Sequence, residues 1–207
     1  IRISAAKSNN CPHVVNLSSG AVYVKSRSID KPCVELDQIN SISSDPYTNS
    51  IVESVVKLNQ FQIEGLISNL NLRLFTFYGQ GIPINKHFAI GNFMNDLINN
   101  REIQIKGNPA SKRSFLYGRD LAVAIINSLL LGATGTLNIG GRVPMTMGAL
   151  AETISKNVGG QGVSQGNLGD QPNFYYPCVN KSKTILGNYE TTSFVKGLQE
   201  WKKSLSY

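Results

Sequence analysis

The sequence predicts an α/β fold with a mostly parallel sheet. Short apolar runs of strand length alternate with longer segments of helical periodicity, the pattern of strands joined by crossover helices. The 41% hydrophobic fraction supplies a core, and the charged fraction of 16% is too low for a disordered chain. There are no internal repeats, and 207 residues make one large domain, or one domain plus a small lobe.

The elements follow in order. Residues 1–10 read as the tail of a helix already under way, because no capping residue precedes them. Residues 13–19 (HVVNLSS) read as a buried strand, largely apolar until its polar carboxyl end. Residues 24–44 are polar and broken by proline, hence loop. Asp45-Pro46 then opens a helix, and apolar residues at 51, 52, 55, 56, 58, 63, 66 and 67 carry its spacing to Ser68. Residues 71–77 (NLRLFTF) form a second buried strand, which Tyr78-Gly79-Gln80-Gly81 breaks. An amphipathic helix is predicted over 87–99, a short alternating strand over 102–106 and a turn at Gly107-Asn108-Pro109. A strand over 113–117 leads into a helix over 119–131. A strand over 136–139 ends at Gly140-Gly141, and a helix covers 147–157. Residues 159–169 are a Gly/Gln/Ser-rich loop, and 191–205 form the last amphipathic helix. Right-handed crossovers are expected between the parallel strands.

Composition narrows the function. The net charge of +7 favours anionic partners such as phosphorylated small molecules or nucleic acid, but the basic residues are scattered rather than blocked, as on an ordinary surface. Cysteines 11, 33 and 178 are odd in number and lack metal-ligand spacing, so they read as reduced or buried thiols. No apolar run approaches the roughly 20 residues of a membrane helix, and no signal peptide is visible, so a cytoplasmic protein is the expectation.

One pair of groups carries chemistry. The strand ending in Ser18-Ser19 is followed, about 28 residues on, by Tyr47 at a helix start, which brings a hydroxyl beside a phenol. Such a pair suits proton transfer at a carbinol or carbonyl carbon. A phenol titrates near 10 and is a poor base at neutral pH. A cation one helical turn along would correct this, since residues i and i+4 share a face. That position holds Ile51. Lys57 lies ten residues from Tyr47, about 15 Å up the helix, too far to substitute. The residues themselves leave a plainer reading open, in which Ser18-Ser19 merely end a strand and Tyr47 packs at a helix start.

Five segments occur in a telling order: SSGAVY (18–23), PYTNSIVES (46–54), LRLFTFYGQG (72–81), IQIKGNPASKRSFLYGRDLAVAI (103–125) and LNIGG (137–141). Together they resemble the extended short-chain dehydrogenase/reductases, specifically the NAD-dependent nucleotide-sugar epimerase/dehydratase group. The first is similar to that family's serine/threonine strand end. The second is similar to its Tyr-x-x-x-Lys helix, with Ile51 in place of the lysine. The third is similar to its Arg-x-Phe-Asn-x-Tyr-Gly-Pro segment, with Thr76 and Gln80 replacing asparagine and proline. The fourth is similar to its Arg-x-Phe-x-Tyr-x-x-Asp stretch, and the fifth to its Asn-x-Gly segment.

The resemblance implies a partial Rossmann-like domain over 1–80 that carries the Ser/Tyr elements. Residues 81–207 would be mainly a small substrate-binding lobe, with segments returning to the core. It implies Ser19 and Tyr47 as catalytic, with Ser19 bonding the reacting sugar oxygen and Tyr47 moving the proton while NAD or NADP takes hydride. Tyr47 and Phe75 would lie against the cofactor. Ser19, Thr76 and Arg113 would bind a nucleotide-activated sugar, Arg113 clamping the diphosphate with its forked donors. Tyr117 and Asp120 would position their strand and helix, and residues 85–92 would hold a further diphosphate contact. On the residues alone, Arg113 also reads as a surface ion-pair partner and Phe75 as core.

The departures are as specific. No glycine-rich turn of strand–turn–helix type is visible, and the Gly-x-x-Gly of LLLGATGTLNIGG (129–141) sits between a helix and a strand, the reverse order. An exposed parallel sheet edge is therefore expected, to be covered by a missing segment, a complementing chain or a homodimer partner, or else left open in a marginal, aggregation-prone protein. Gly20 and Ala21 stand where the family's dehydratases carry an acidic pair, which points to epimerisation or 4-keto reduction. Three functions follow: a truncated or impaired NAD-dependent enzyme of carbohydrate metabolism, a non-catalytic pseudoenzyme binding a sugar nucleotide or partner protein, and an RNA-binding derivative of the fold. The absence of interleaved basic and aromatic residues weighs against the last.

Overall fold

The computed structural model describes residues 12–23, 29–39, 45–84, 88–165 and 171–205. The helix expected over 1–10 lies outside them. The described elements run, in order, β1 (His13–Ser19), a 3-10 turn (Gly20–Val22), α1 (Pro46–Ile63), β2 (Ser68–Leu74), β3 (Phe77–Tyr78), α2 (Ala89–Ile98), β4 (Ile103–Ile105), β5 (Lys112–Ser114), β6 (Leu116–Tyr117), α3 (Gly118–Leu130), β7 (Gly135–Ile139), β8 (Pro144–Thr146), α4 (Met147–Ile154), a π-helical turn (Ser155–Gly159), β9 (Val163–Gln165), β10 (Phe174–Tyr175), α5 (Asn180–Leu186) and α6 (Phe194–Leu205).

The main sheet has the order β1-β2-β7, all parallel. Smaller sheets are β10-β5-β8, β3-β6 and β4-β9, in which only the β5–β8 pair is antiparallel. Alternate residues of β2 face opposite sides. Leu70 and Leu72 pack with Leu121 and Ala124 of α3 and Leu137 and Ile139 of β7. On the other face, Asn69 and Asn71 donate to Asn59 Oδ1 of α1, and Asn16 donates to Asn71 Oδ1 at 2.8 Å. So α1 and α3 cover opposite faces while the strands progress in one direction. The two crossovers therefore have opposite hands, and the expected uniform right-handedness does not hold. The long excursion over residues 75–117 frees the second connection from the tight strand–helix–strand geometry that sets the hand.

Several boundaries differ from expectation for local reasons. Helix α1 starts as predicted, with Pro46 in its first turn and Asp45 accepting from the N–H groups of Tyr47 and Thr48. It stops at Ile63, not Ser68, because Gly65 takes φ 71° and Leu66 N–H closes back on the Phe61 carbonyl at 2.9 Å, a glycine-terminated helix end. The strands expected over 71–77 and 113–117 each break in two at Phe75–Thr76 and Phe115, so that β3 pairs with β6 rather than extending the main sheet. Among the described strands β1 lies at the edge of the main sheet, with Leu17 51% exposed, although its apolar run read as buried. β8, β9, β10 and α5 are too short to leave a periodic signal. A separate core joins α2, β4, α4 and α6 through Phe93, Met94, Ile103, Leu150, Ile154 and Trp201.

Candidate active site and nucleotide pocket

The parallel strands of the main sheet end together, and crossover helix α1 starts at that carboxyl edge, where ligands of open α/β sheets bind. Ser19 closes β1, and its Oγ accepts from the Ala21 N–H at 3.1 Å, capping the 3-10 turn. Tyr47 sits in the first turn of α1 with 56% of its surface exposed. Among the described residues no hydrogen bond joins the Ser19 and Tyr47 side chains. Ile51 packs against the cluster of Val22, Tyr23, Cys33, Val52 and Phe75. The position one turn past the phenol is thus filled by apolar packing.

Phe75 is buried, with its ring 6.0 Å from Tyr23 and 4.7 Å from Tyr175. Gly20 lies against the same ring. A Cβ there would stand 2.7 Å from Tyr175 Oη and 2.8 Å from Phe75 Cζ, so no side chain fits. Thr76 is half-buried and its carbonyl accepts from Leu116 N–H at 3.1 Å, which ties β2 to β6.

Arg113 is on β5. Its Nη1 donates to the carbonyls of Lys112 at 2.7 Å and Asn173 at 2.9 Å, and its guanidinium lies 5.5 Å from the Tyr175 ring centre. It lines a cavity of about 220 Å³ with Phe93, Ile105 and Met147 as apolar walls and Asn92, Lys106 and Asn108 as polar ones. Asn92 belongs to the stretch 85–92 singled out in the sequence; residues 85–87 lie outside the described ones. Tyr117 donates to Glu200 in the middle of α6 at 3.0 Å, and Asp120 accepts from Thr192 N–H at 2.9 Å and from the Thr191 and Thr192 hydroxyls just before that helix, so both tie the start of α3 to α6 and its lead-in.

Beneath the site runs a buried polar network that the sequence did not reveal. Arg73 donates to Tyr23 Oη at 2.9 Å and to the Glu35 carbonyl at 3.0 Å, and Tyr23 donates to Asn138 Oδ1 at 2.6 Å. Burial pushes the Tyr23 phenol up, against the pull of the Arg73 guanidinium. Residues 29–39 strap this network to the pocket side. Glu35 accepts from Asn138 N–H, Cys33 N–H donates to the Tyr176 carbonyl at 2.9 Å, and Asp30 accepts from Lys112 Nζ and from Tyr176 Oη. Tyr175 was missed as well. Its run FYYP follows a loop and shows no periodicity, so only the fold brings it to the site.

A sequence profile of the NAD-dependent epimerase/dehydratase family matches residues 3–140. The chain belongs to that family. A dTDP-4-dehydro-6-deoxyglucose reductase from Escherichia coli is 32% identical over 149 residues, which are 70% of this chain and 46% of that protein. The fold matches a UDP-N-acetylglucosamine 4-epimerase from Methanobrevibacter ruminantium M1 with a TM-score of 0.83 at 22% identity, over 94% of this chain and 63% of that one. It also matches a UDP-glucuronic acid 4-epimerase from Bacillus cereus, solved with NAD, with a TM-score of 0.78 at 19% identity, over 94% of this chain and 59% of that one. The chain thus spans less than half the length of the curated relative and about three-fifths of these two structures.

The family's mixed α/β, Rossmann-like architecture is present. Gly140-Gly141 follow β7 but lead into β8, not a helix whose N-terminus could face a pyrophosphate. Ile51 offers no donor, and the Phe75 ring is covered by Tyr23 and Tyr175. Among the described residues no helix is long and apolar enough to cross a membrane.

Proposed function

We propose that this epimerase/dehydratase-family chain binds a nucleotide-activated sugar, with the nucleotide diphosphate in the Arg113 cavity and the sugar directed toward Ser19, Tyr47 and Thr76. The observation that carries this reading is the cavity itself, where apolar walls able to hold a base stand next to the cations Arg113 and Lys106. A guanidinium offers a diphosphate paired donors that a surface lysine lacks. The division near residue 80 follows: a sheet-bearing part that presents the hydroxyl pair, and a nucleotide-holding part beyond it. Cytoplasmic nucleotide-sugar metabolism is the setting that fits.

Within the family's chemistries, epimerisation or 4-keto reduction fits better than dehydration. Position 20, where an acidic residue would have to stand, has no room for any side chain. The hydride step itself needs a dinucleotide-binding segment, and the edge of β1 that has no partner strand among the described residues is where such a segment, from this protein or a complementing chain, would pair. The test is amide chemical-shift mapping with a nucleoside diphosphate. Shifts should cluster at Asn92, residues 106–108, Ser111 and Arg113. Shifts spread over the basic surface, or confined to other elements, would overturn the assignment.

A second reading is a non-catalytic sugar-nucleotide binder, favoured by the packing of Ile51 into the apolar cluster. It predicts that Ile51→Lys leaves diphosphate affinity unchanged. In a chain completed with a relative's NAD-binding segment, the same substitution should raise hydride turnover from background. Turnover in the completed chain with Ile51 intact would contradict it.

A further inference from the structure

One aromatic ring touches both halves of the candidate site. Tyr175 is the register partner of Arg113 across the β10–β5 pair, and the Arg113 guanidinium lies 5.5 Å from its ring centre. The same ring meets Phe75 at 4.7 Å with an interplanar angle of 32°. Its hydroxyl stands 2.7 Å from where a Gly20 Cβ would be, against the turn that Ser19 caps. Bonds that hold the turn include Ala21 N–H to Ser19 Oγ and Tyr23 N–H to the Gly20 carbonyl at 3.1 Å.

The backbone behind the ring is anchored. Tyr176 donates its hydroxyl to Asp30 at 2.7 Å, its carbonyl accepts from Cys33 N–H, and Cys178 N–H donates to the Cys33 carbonyl at 2.8 Å. A displacement of Arg113 therefore cannot be absorbed by a shift of residues 174–178. The ring lies on its path to the turn, because packed aromatic contacts transmit strain rather than yield to it.

We infer that Tyr175 is a positioning residue that couples the Arg113 cavity to the Gly20–Val22 turn, so that the state of the cavity sets the order of the strand end bearing Ser19. Its meaning for a bound ligand rests on the proposed nucleotide-sugar reading; the coupling does not. By reciprocity, ordering of the turn would in turn favour occupancy of the cavity.

A hydrogen-exchange double-mutant cycle on the full chain without ligand tests this. Arg113→Ala should speed exchange at the Ala21 and Tyr23 amides by about five-fold or more, the lower end of ordinary intersite coupling. The same acceleration should persist in Tyr175→Phe, which keeps the ring, and shrink below about two-fold in Tyr175→Ala. Unchanged exchange at Leu150 in the distant core shows that each variant is folded; if Tyr175→Ala fails that check, Tyr175→Leu takes its place in the cycle. An acceleration that survives loss of the ring, that is absent with Tyr175 intact, or that disappears in Tyr175→Phe would overturn the inference. A nucleoside diphosphate that does not bind would sink the functional reading and leave this coupling standing, because the cycle contains no ligand.

Discussion

Gly20 shows how one position constrains the chemistry. It follows the capping serine, and its missing side chain makes room for Phe75 and the Tyr175 hydroxyl. Gly20→Ala should destabilise the protein by about 1–3 kcal/mol through overpacking, read as a lower urea midpoint with an unchanged slope. Unaltered stability would mean that Tyr175 swings away freely, and the case against an acidic residue at 20 would weaken. At this scale the motifs were legible because their spacing is local: Ser19, Tyr47 and Ile51 follow from a strand end and one helical turn. Tyr175, Arg73 and Asp30 were not. Their partners lie 38 to 155 residues away in sequence, and only the fold brings them together.

At the scale of elements, the strap over residues 29–39 has a pH signature. Burial, and then the Asp30 carboxylate it donates to, push the Tyr176 phenol from 10.0 up to about 12. A raised folded-state value means that the contribution to stability is whole below pH 10 and is lost as pH rises through about 12. A phenol absorbance titration of the wild type minus Tyr176→Phe should show a midpoint near 12, and a midpoint at 10.0 would contradict the clasp. The element pattern was legible where periodicity ran long, as in α1, α2, α3 and α6. It failed where glycine chemistry or pairing decided. Gly65 cut α1 short, and Phe75 and Phe115 divided single apolar runs between two sheets.

At the scale of the whole molecule, the main sheet is two-faced in a way its strands do not advertise. One side is leucine against α3, and the other carries asparagines bonded to α1 and Arg73 bonded to Tyr23. The polar side holds the network under the site, so the face that looks unfavourable for a core is the one that fixes Tyr23 and Asn138. The parallel order was legible from strand–helix alternation. The opposite hands of the crossovers were not, because hand depends on where a long excursion returns.

The central claim is a nucleotide diphosphate site built around Arg113. Calorimetric titration of a nucleoside diphosphate into the wild type and Arg113→Ala, with NAD titrated in parallel, tests it most directly. The account predicts diphosphate binding that weakens about ten-fold or more in Arg113→Ala, as the loss of a charge-assisted donor pair requires. It predicts no NAD binding in either chain. Diphosphate affinity indifferent to Arg113, or tight NAD binding by the wild type, would contradict it.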